Sequence, residues 1–145
     1  MSATQRLSQV APTPPVVDLD SAPFWEGTQA HRLMVQGCGA CGLIRFPPMP
    51  ACPHCAEPGG SWVEVSGVGS VYSWVRVHRT SNAQFAWSVP YVVATIELAP
   101  GSRVVARVEE SGPMVIGSAV EAIFVDHEAW TELRFRPRTD GRLDG

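Results

Sequence analysis

Four cysteines are the residues whose types and spacing could do the most definite chemistry. They stand as Cys38-Gly39-Ala40-Cys41 and, ten residues later, Cys52-Pro53-His54-Cys55, and they are every cysteine in the chain. A C-x-x-C pair forms a tight turn whose two sulfurs point the same way, and two such pairs offer four thiolates tetrahedrally to one ion. Cys38, Cys41, Cys52 and Cys55 are therefore the expected ligands of one structural zinc. Four thiolates leave no open coordination position, so a catalytic metal is disfavoured. The short spacer keeps rubredoxin-like iron as an alternative. His54 lies between two better ligands. Gly42, directly after the first pair, suits the positive φ of a metal knuckle, whereas Ala56 occupies the matching place after the second.

The other candidate groups are scattered. His31, His78 and His127 fall on three separate segments, none beside a serine or cysteine in a nucleophile motif, and the carboxylates form no paired constellation. Satisfied or solvated histidines are expected. Aromatic residues offer a different kind of chemistry, recognition. Tyr72, Trp74, Arg76 and His78 alternate with Val71, Val75 and Val77. Because one face of a small barrel is core, the valines are expected inside and Tyr72 and Trp74 outside. Phe85 and Trp87 stand in the otherwise polar connection 80–89, where large aromatics point to binding. Phe85, Trp87, Tyr72 and Trp74 are the expected partner-binding residues.

The elements that must position these groups follow from pattern and punctuation. With 145 residues and a net charge of −3, the chain has room for one modest core, or a metal-held module plus one small domain. No run of eighteen apolar residues and no secretory-type leader is present, so no membrane is expected as a partner and a cytoplasmic protein is. In that reducing compartment metal-spaced cysteines favour zinc over disulfides. All eleven basic residues are arginine, which removes Schiff-base lysine chemistry.

Residues 1–19, rich in proline and small residues, read as a flexible leader. Residues 20–32 read as a short helix, with Asp20 or Ser21 as cap, Pro23 in the first turn, and Phe24, Trp25, Thr28 and His31 on one side. A zinc ribbon is expected over 33–66, with a strand at 43–46 and a turn through Pro47, Pro48 and Pro50. From 67 to 137 the chain turns β-rich, with strands expected at 69–79, 91–98, 103–109, 120–127 and 133–136, enough for a small five-stranded closed barrel. Residues 138–145 read as a flexible tail. The fold class is mainly β.

The order Phe24-Trp25-Glu26-Gly27, four-cysteine ribbon, Gly67-x-Gly69, Pro90-Tyr91-Val92-Val93-Ala94-Thr95-Ile96-Glu97-Leu98 and Phe135-Arg136-Pro137 resembles the bacterial and archaeal family of rubredoxin-like zinc-ribbon/OB-fold proteins associated with acyl-CoA enzymes and thiolases. The resemblance covers residues from about 20 to 137. It implies an OB-fold barrel, the four cysteines as zinc ligands, and no catalytic residue. It also implies a non-catalytic accessory subunit of a thiolase-fold enzyme, such as a lipid-transfer-protein-like thiolase or an aldolase that shortens steroid side chains as CoA thioesters. Acyl-CoA would then be met through the partner, with Arg76 and Arg79 able to reach CoA phosphates, since guanidinium suits phosphate. The competing reading is single-stranded nucleic-acid binding, a use to which ribbons and OB barrels are both put. The acidic balance and the absence of a basic stripe count against it. A free-standing thioesterase or aldolase finds no activated nucleophile.

Overall fold

The computed structural model describes residues 13–86 and 88–138. The described residues comprise one helix, α1 (Ala22–Gln29), and eight strands: β1 (Leu33–Gly37), β2 (Ile44–Arg45), β3 (Ser61–Val65), β4 (Val68–Val77), β5 (Tyr91–Leu98), β6 (Arg103–Val108), β7 (Ala119–Asp126) and β8 (Thr131–Pro137). The first three strands form an antiparallel sheet in the order β2-β1-β3, and the other five close a barrel in the order β4-β5-β6-β8-β7. Only the β6–β8 pairing in the barrel is parallel. This is the mainly β architecture expected, ribbon first and five-stranded barrel second.

Helix α1 begins where Asp18 and Ser21 exchange hydrogen bonds, the Ser21 N–H donating to Asp18 Oδ1 at 2.8 Å and the Asp18 N–H to Ser21 Oγ at 3.2 Å. The Ser21 side chain makes no capping bond to the helix itself. The helix is shorter than the 20–32 stretch expected, because His31 adopts φ 57° and turns the chain out. The Arg32 N–H then reaches Gly27 O at 2.8 Å and the His31 N–H reaches Thr28 O at 2.9 Å, the paired closure of a Schellman end, with His31 where glycine is usual. His31 therefore leaves the helical face it was expected to share. Gly27 explains the Phe-Trp-Glu-Gly run: a Cβ there would lie 2.5 Å from Met34 Cγ and 2.9 Å from Arg32 O, so only glycine lets α1 lie against β1. Phe24 is buried beside Trp25 and Phe46, at ring separations of 4.8 and 5.3 Å.

Strict alternation builds the barrel core. Val92, Ala94, Ile96 and Leu98 of β5 point inward, met by Val104, Ala106 and Val108 of β6, by Leu133 and Phe135 of β8 and by Val120 of β7. Phe24, Leu33 and Val35 belong to the same cluster, so helix, ribbon base and barrel share one continuous core. Gly69 admits the first barrel strand, since a Cβ there would meet Glu97 O at 2.5 Å.

Strand β4 departs from the simple alternation. Its register against β5 shifts between Val71 and Ser73, leaving Tyr72 as the extra residue of a bulge. Val71 faces Ile96 across the ladder, but after the bulge it is Trp74 that faces Ala94 and Arg76 that faces Val92. One inserted residue moves every later side chain to the other face. Val75, expected inside, is consequently 60% exposed, and Trp74, expected outside, packs against the core. Tyr72 stays exposed as expected.

Among the described residues no helix is long and apolar enough to cross a membrane. The described part of the expected leader, residues 13–19, forms no helix or strand, and its Thr13 is hydrogen-bonded to Gln84. The remainder of that leader and residues 139–145 of the expected tail lie outside the described residues, as does Trp87.

Candidate metal centre

The two knuckles repeat one backbone pattern. Cys38 N–H donates to Leu43 O and Gly42 N–H to Cys38 O, each at 2.9 Å; Cys52 N–H donates to Glu57 O and Ala56 N–H to Cys52 O, again at 2.9 Å. Gly42 sits at φ 76° and Ala56 at φ 65°, so alanine accepts the left-handed conformation that closes the second turn. Two such turns face each other between β1 and β3. They bring Cys38 Sγ to 3.6 Å from Cys55 Sγ and Cys41 Sγ to 3.7 Å from Cys52 Sγ, with all four sulfurs within 4.8 Å of one another.

That geometry fits a metal. A tetrahedral ion with Zn–S bonds of about 2.3 Å has sulfur–sulfur edges of about 3.8 Å. The electrostatics agree. The Cys41 amide, followed by that of Ala40, pulls the Cys38 thiol down to about 6, and the Cys55 amide holds Cys52 below the ordinary thiol range. The Glu57 amide favours a Cys55 thiolate too, but the hydrogen bond with Cys38, burial, and the Cys41 and Cys52 thiols outweigh it and push Cys55 up to about 12. Cys41 is favoured by the Leu43 amide and still raised, by burial and by Cys38 and Cys52. Knuckle amides thus favour all four thiolates, while the crowding that outweighs them at Cys41 and Cys55 is the repulsion a divalent cation removes. Cys38 and Cys52 are buried and Cys41 and Cys55 exposed, as in a centre set at the rim of its module.

Arg45 was not foreseen as part of this centre. It is buried on β2, donates from Nε to Gln36 Oε1 at 2.9 Å, and reaches Gly59 O at 2.7 Å and Met49 O at 3.3 Å; Gln36 Oε1 also accepts the Met49 N–H at 2.8 Å. One guanidinium therefore ties β1 and β2 to the loop that carries the second knuckle. The available signal was an arginine amid Ile44 and Phe46, which reads as an outward residue on a short strand and gives no hint of burial. The ribbon also holds strands β1 and β3 beside the single strand expected at 43–46.

The remaining expected site residues are spread along the barrel. Tyr72 lies under the Arg103 guanidinium, 3.7 Å from ring centre to Cζ. Arg76 is committed to Glu110 at 2.5 and 3.2 Å, and its guanidinium lies 5.9 Å from the Trp74 ring. Arg79 is exposed just beyond β4 and Phe85 is half-buried in the connection to β5. Two histidines have carboxylate partners: His31 Nε2 lies 2.9 Å from Asp126, and His127 Nε2 lies 2.9 Å from Glu132, which also accepts from Arg134.

A four-cysteine ribbon mounted on a closed five-stranded barrel defines the class: a zinc-ribbon/OB-fold protein. Residues 25–59 match the description "ChsH2, rubredoxin-like zinc ribbon domain" and residues 62–125 match "ChsH2, C-terminal OB-fold domain". A chain of the solved "Ltp2-ChsH2(DUF35) aldolase" superposes with a TM-score of 0.77 at 35% identity, covering 86% of this chain and 98% of that one. A "DUF35 domain-containing scaffold protein" of Methanothermobacter thermautotrophicus is 34% identical over 99 residues, 66% of this chain and 74% of the relative. The "3-oxo-4,17-pregnadiene-20-carboxyl-CoA hydratase alpha subunit" of Mycobacterium tuberculosis is 34% identical over 120 residues, 81% of this chain and 38% of the relative. The chain belongs to the ChsH2/DUF35 family. It spans about two fifths of the length of the hydratase alpha subunits it matches.

Proposed function

We propose that this chain is the non-catalytic accessory subunit of a hetero-oligomeric enzyme, docking on an aldolase subunit of the Ltp2 kind that the resemblance makes thiolase-fold. The observation that carries the reading is the correspondence with nearly the whole length of the DUF35 chain in the Ltp2-ChsH2 aldolase. The partner would cleave acyl-CoA thioesters, steroid side-chain thioesters among them, in line with the steroid-CoA name of a relative.

In this reading Cys38, Cys41, Cys52 and Cys55 hold one zinc ion that performs no reaction. The ion fixes the knuckles, and through β1 and β3 it fixes the angle at which the ribbon leaves the barrel. The histidine–carboxylate pairs join elements: His31 meets Asp126 across the helix–barrel junction and His127 meets Glu132 across the β7–β8 turn. Phe85 and Trp87 contribute the aromatic connection 80–89 to the partner, exposed Tyr72 adds to the surface, and Trp74 packs on the core. Among the described residues Arg79 makes no ion pair, so it is the more available of the two expected arginines for a CoA phosphate, Arg76 being held by Glu110.

Co-expression with an aldolase subunit of the Ltp2 kind tests the reading. A stoichiometric complex containing one zinc per copy of this chain, with carbon–carbon cleavage that requires both subunits, is the expected result. Absence of a complex, or cleavage by this chain alone, would refute it.

A further inference from the structure

The bulge at Tyr72 has a consequence on the outside of the barrel. The ladder sets Ser73 beside Thr95 and Thr95 beside Val105, then Val75 beside Val93 and Val93 beside Arg107. Val75 and Val105 are 60% and 65% exposed, and with Val93 they line a shallow depression of about 150 Å³ over Ala94. A contiguous β-branched apolar patch on an outer sheet face loses hydrophobic free energy to water unless something covers it. Without the inserted residue Val75 would point into the barrel, so the fold spends a ladder irregularity to build this patch.

Arginines frame it. Arg103 and Arg107 flank Val105 on β6, on the same face, their Cα atoms about 13 Å apart by strand geometry. Each lies on a tyrosine, Arg103 over Tyr72 at 3.7 Å and Arg107 over Tyr91 at 4.4 Å, which pre-orders both side chains. Their charges are balanced differently. Arg103 has Glu97 at 3.6 Å, whereas among the described residues no carboxylate lies within 4.0 Å of Arg107, whose one hydrogen bond is to Ser88 O at 3.5 Å. Burial, then the charge of Arg134, disfavours the Arg107 cation, so an incoming carboxylate would relieve it. The bond to Ser88 also joins this face to the loop carrying Phe85.

We infer that the outer face of β4–β6, centred on Val75, Val93 and Val105, is a docking surface for a segment of a partner protein that is aliphatic at its middle and carries an aspartate or glutamate at the Arg107 end. The inference rests on the accessory-subunit reading and assigns that partner a place on the barrel wall. An apolar centre ringed by stacked arginine and tyrosine is the composition of an interface hot spot.

The full chain and an aldolase subunit of the Ltp2 kind supply the test, with binding measured by calorimetry at low and moderate salt. Val75→Thr with Val105→Thr keeps the branched shape and the strand, so melting temperatures should match the wild type while affinity falls about tenfold or more. Arg107→Gln should weaken binding and flatten its salt dependence, and Val115→Thr, exposed outside this face, should bind within about twofold of wild type. If the valine pair and Arg107→Gln bind like wild type while Phe85→Ala with Trp87→Ala does not, the face is wrong and the accessory reading stands. If the wild-type chain binds no aldolase subunit, both fall. Self-association abolished by Val105→Glu would make a second copy the occupant and overturn the inference.

Discussion

His31 Nε2 lies 3.0 and 2.9 Å from the two carboxylate oxygens of Asp126, although 95 residues separate them, and the imidazole stacks on Phe124 with ring centres 5.3 Å apart. The pair bridges the end of α1 to the end of β7, and Asp126 also accepts from Thr131 Oγ1 at 2.7 Å. The His31 hydrogen bond, with that of Thr131, holds the Asp126 carboxyl below its ordinary range. A carboxylate whose native pKa is depressed adds stability that is complete above the unfolded value of about 3.9 and is lost as pH falls through the native one. Thermal melts from pH 6 to pH 3 should therefore show wild type above Asp126→Asn at pH 6, with the gap closing toward pH 3. A constant gap would place the effect outside the ionisation of Asp126.

Trp74 and Val75 give opposite responses to mutation if the bulge is right. Trp74→Ala removes an indole packed on the core and should cost about 3 kcal/mol, while Val75→Thr at an exposed position should change stability by less than about 0.5 kcal/mol. Urea unfolding of the two variants decides this, and plain alternation along β4 would predict the reverse order.

Arg45 should behave as a brace of the metal centre. Arg45→Met removes the donor of Gly59 O and one of the two donors of Gln36 Oε1, and is expected to destabilise the fold by about 2–3 kcal/mol. Because the brace holds the loop bearing the second knuckle, metal affinity should fall about tenfold, measured by competition with a chromophoric chelator. A stability loss with unchanged metal affinity would confine Arg45 to packing.

Chelation should divide the two modules without separating them fully. Each knuckle is closed by its own backbone hydrogen bonds, but the four crowded sulfurs repel one another without an ion between them, so Trp62 on β3 should change its fluorescence when metal is removed. The barrel's β signal in the far ultraviolet should remain. Its melting temperature should nevertheless fall, because Phe24, Leu33 and Val35 complete the core that includes Phe135 and Ile96.

Much of this protein was legible in residue types and spacing alone. The metal ligands were, because two C-x-x-C turns constrain sulfur geometry locally and need only a short return to meet. The strands over Tyr91–Leu98 and Arg103–Val108 were, because an inward aliphatic residue recurs at every second position without interruption. Helix α1 was legible as an element and less so in its end, since His31 adopts a backbone conformation that glycine more often signals.

Three things were settled only by tertiary structure. The face presented by Trp74 and Val75 depends on an unpaired residue at Tyr72, and alternation cannot register a bulge until a partner strand supplies the register. Arg45 is buried because Gln36, Met49 and Gly59 converge on it from three segments, a cage that no single window of sequence contains. The joining of ribbon to barrel depends on His31 meeting Asp126 and on Phe24 entering a core made mostly of residues beyond position 70. Local covalent geometry and periodicity act within a few residues and can be read from them; burial and charge pairing are properties of the folded neighbourhood, and here they decided which surface faces outward.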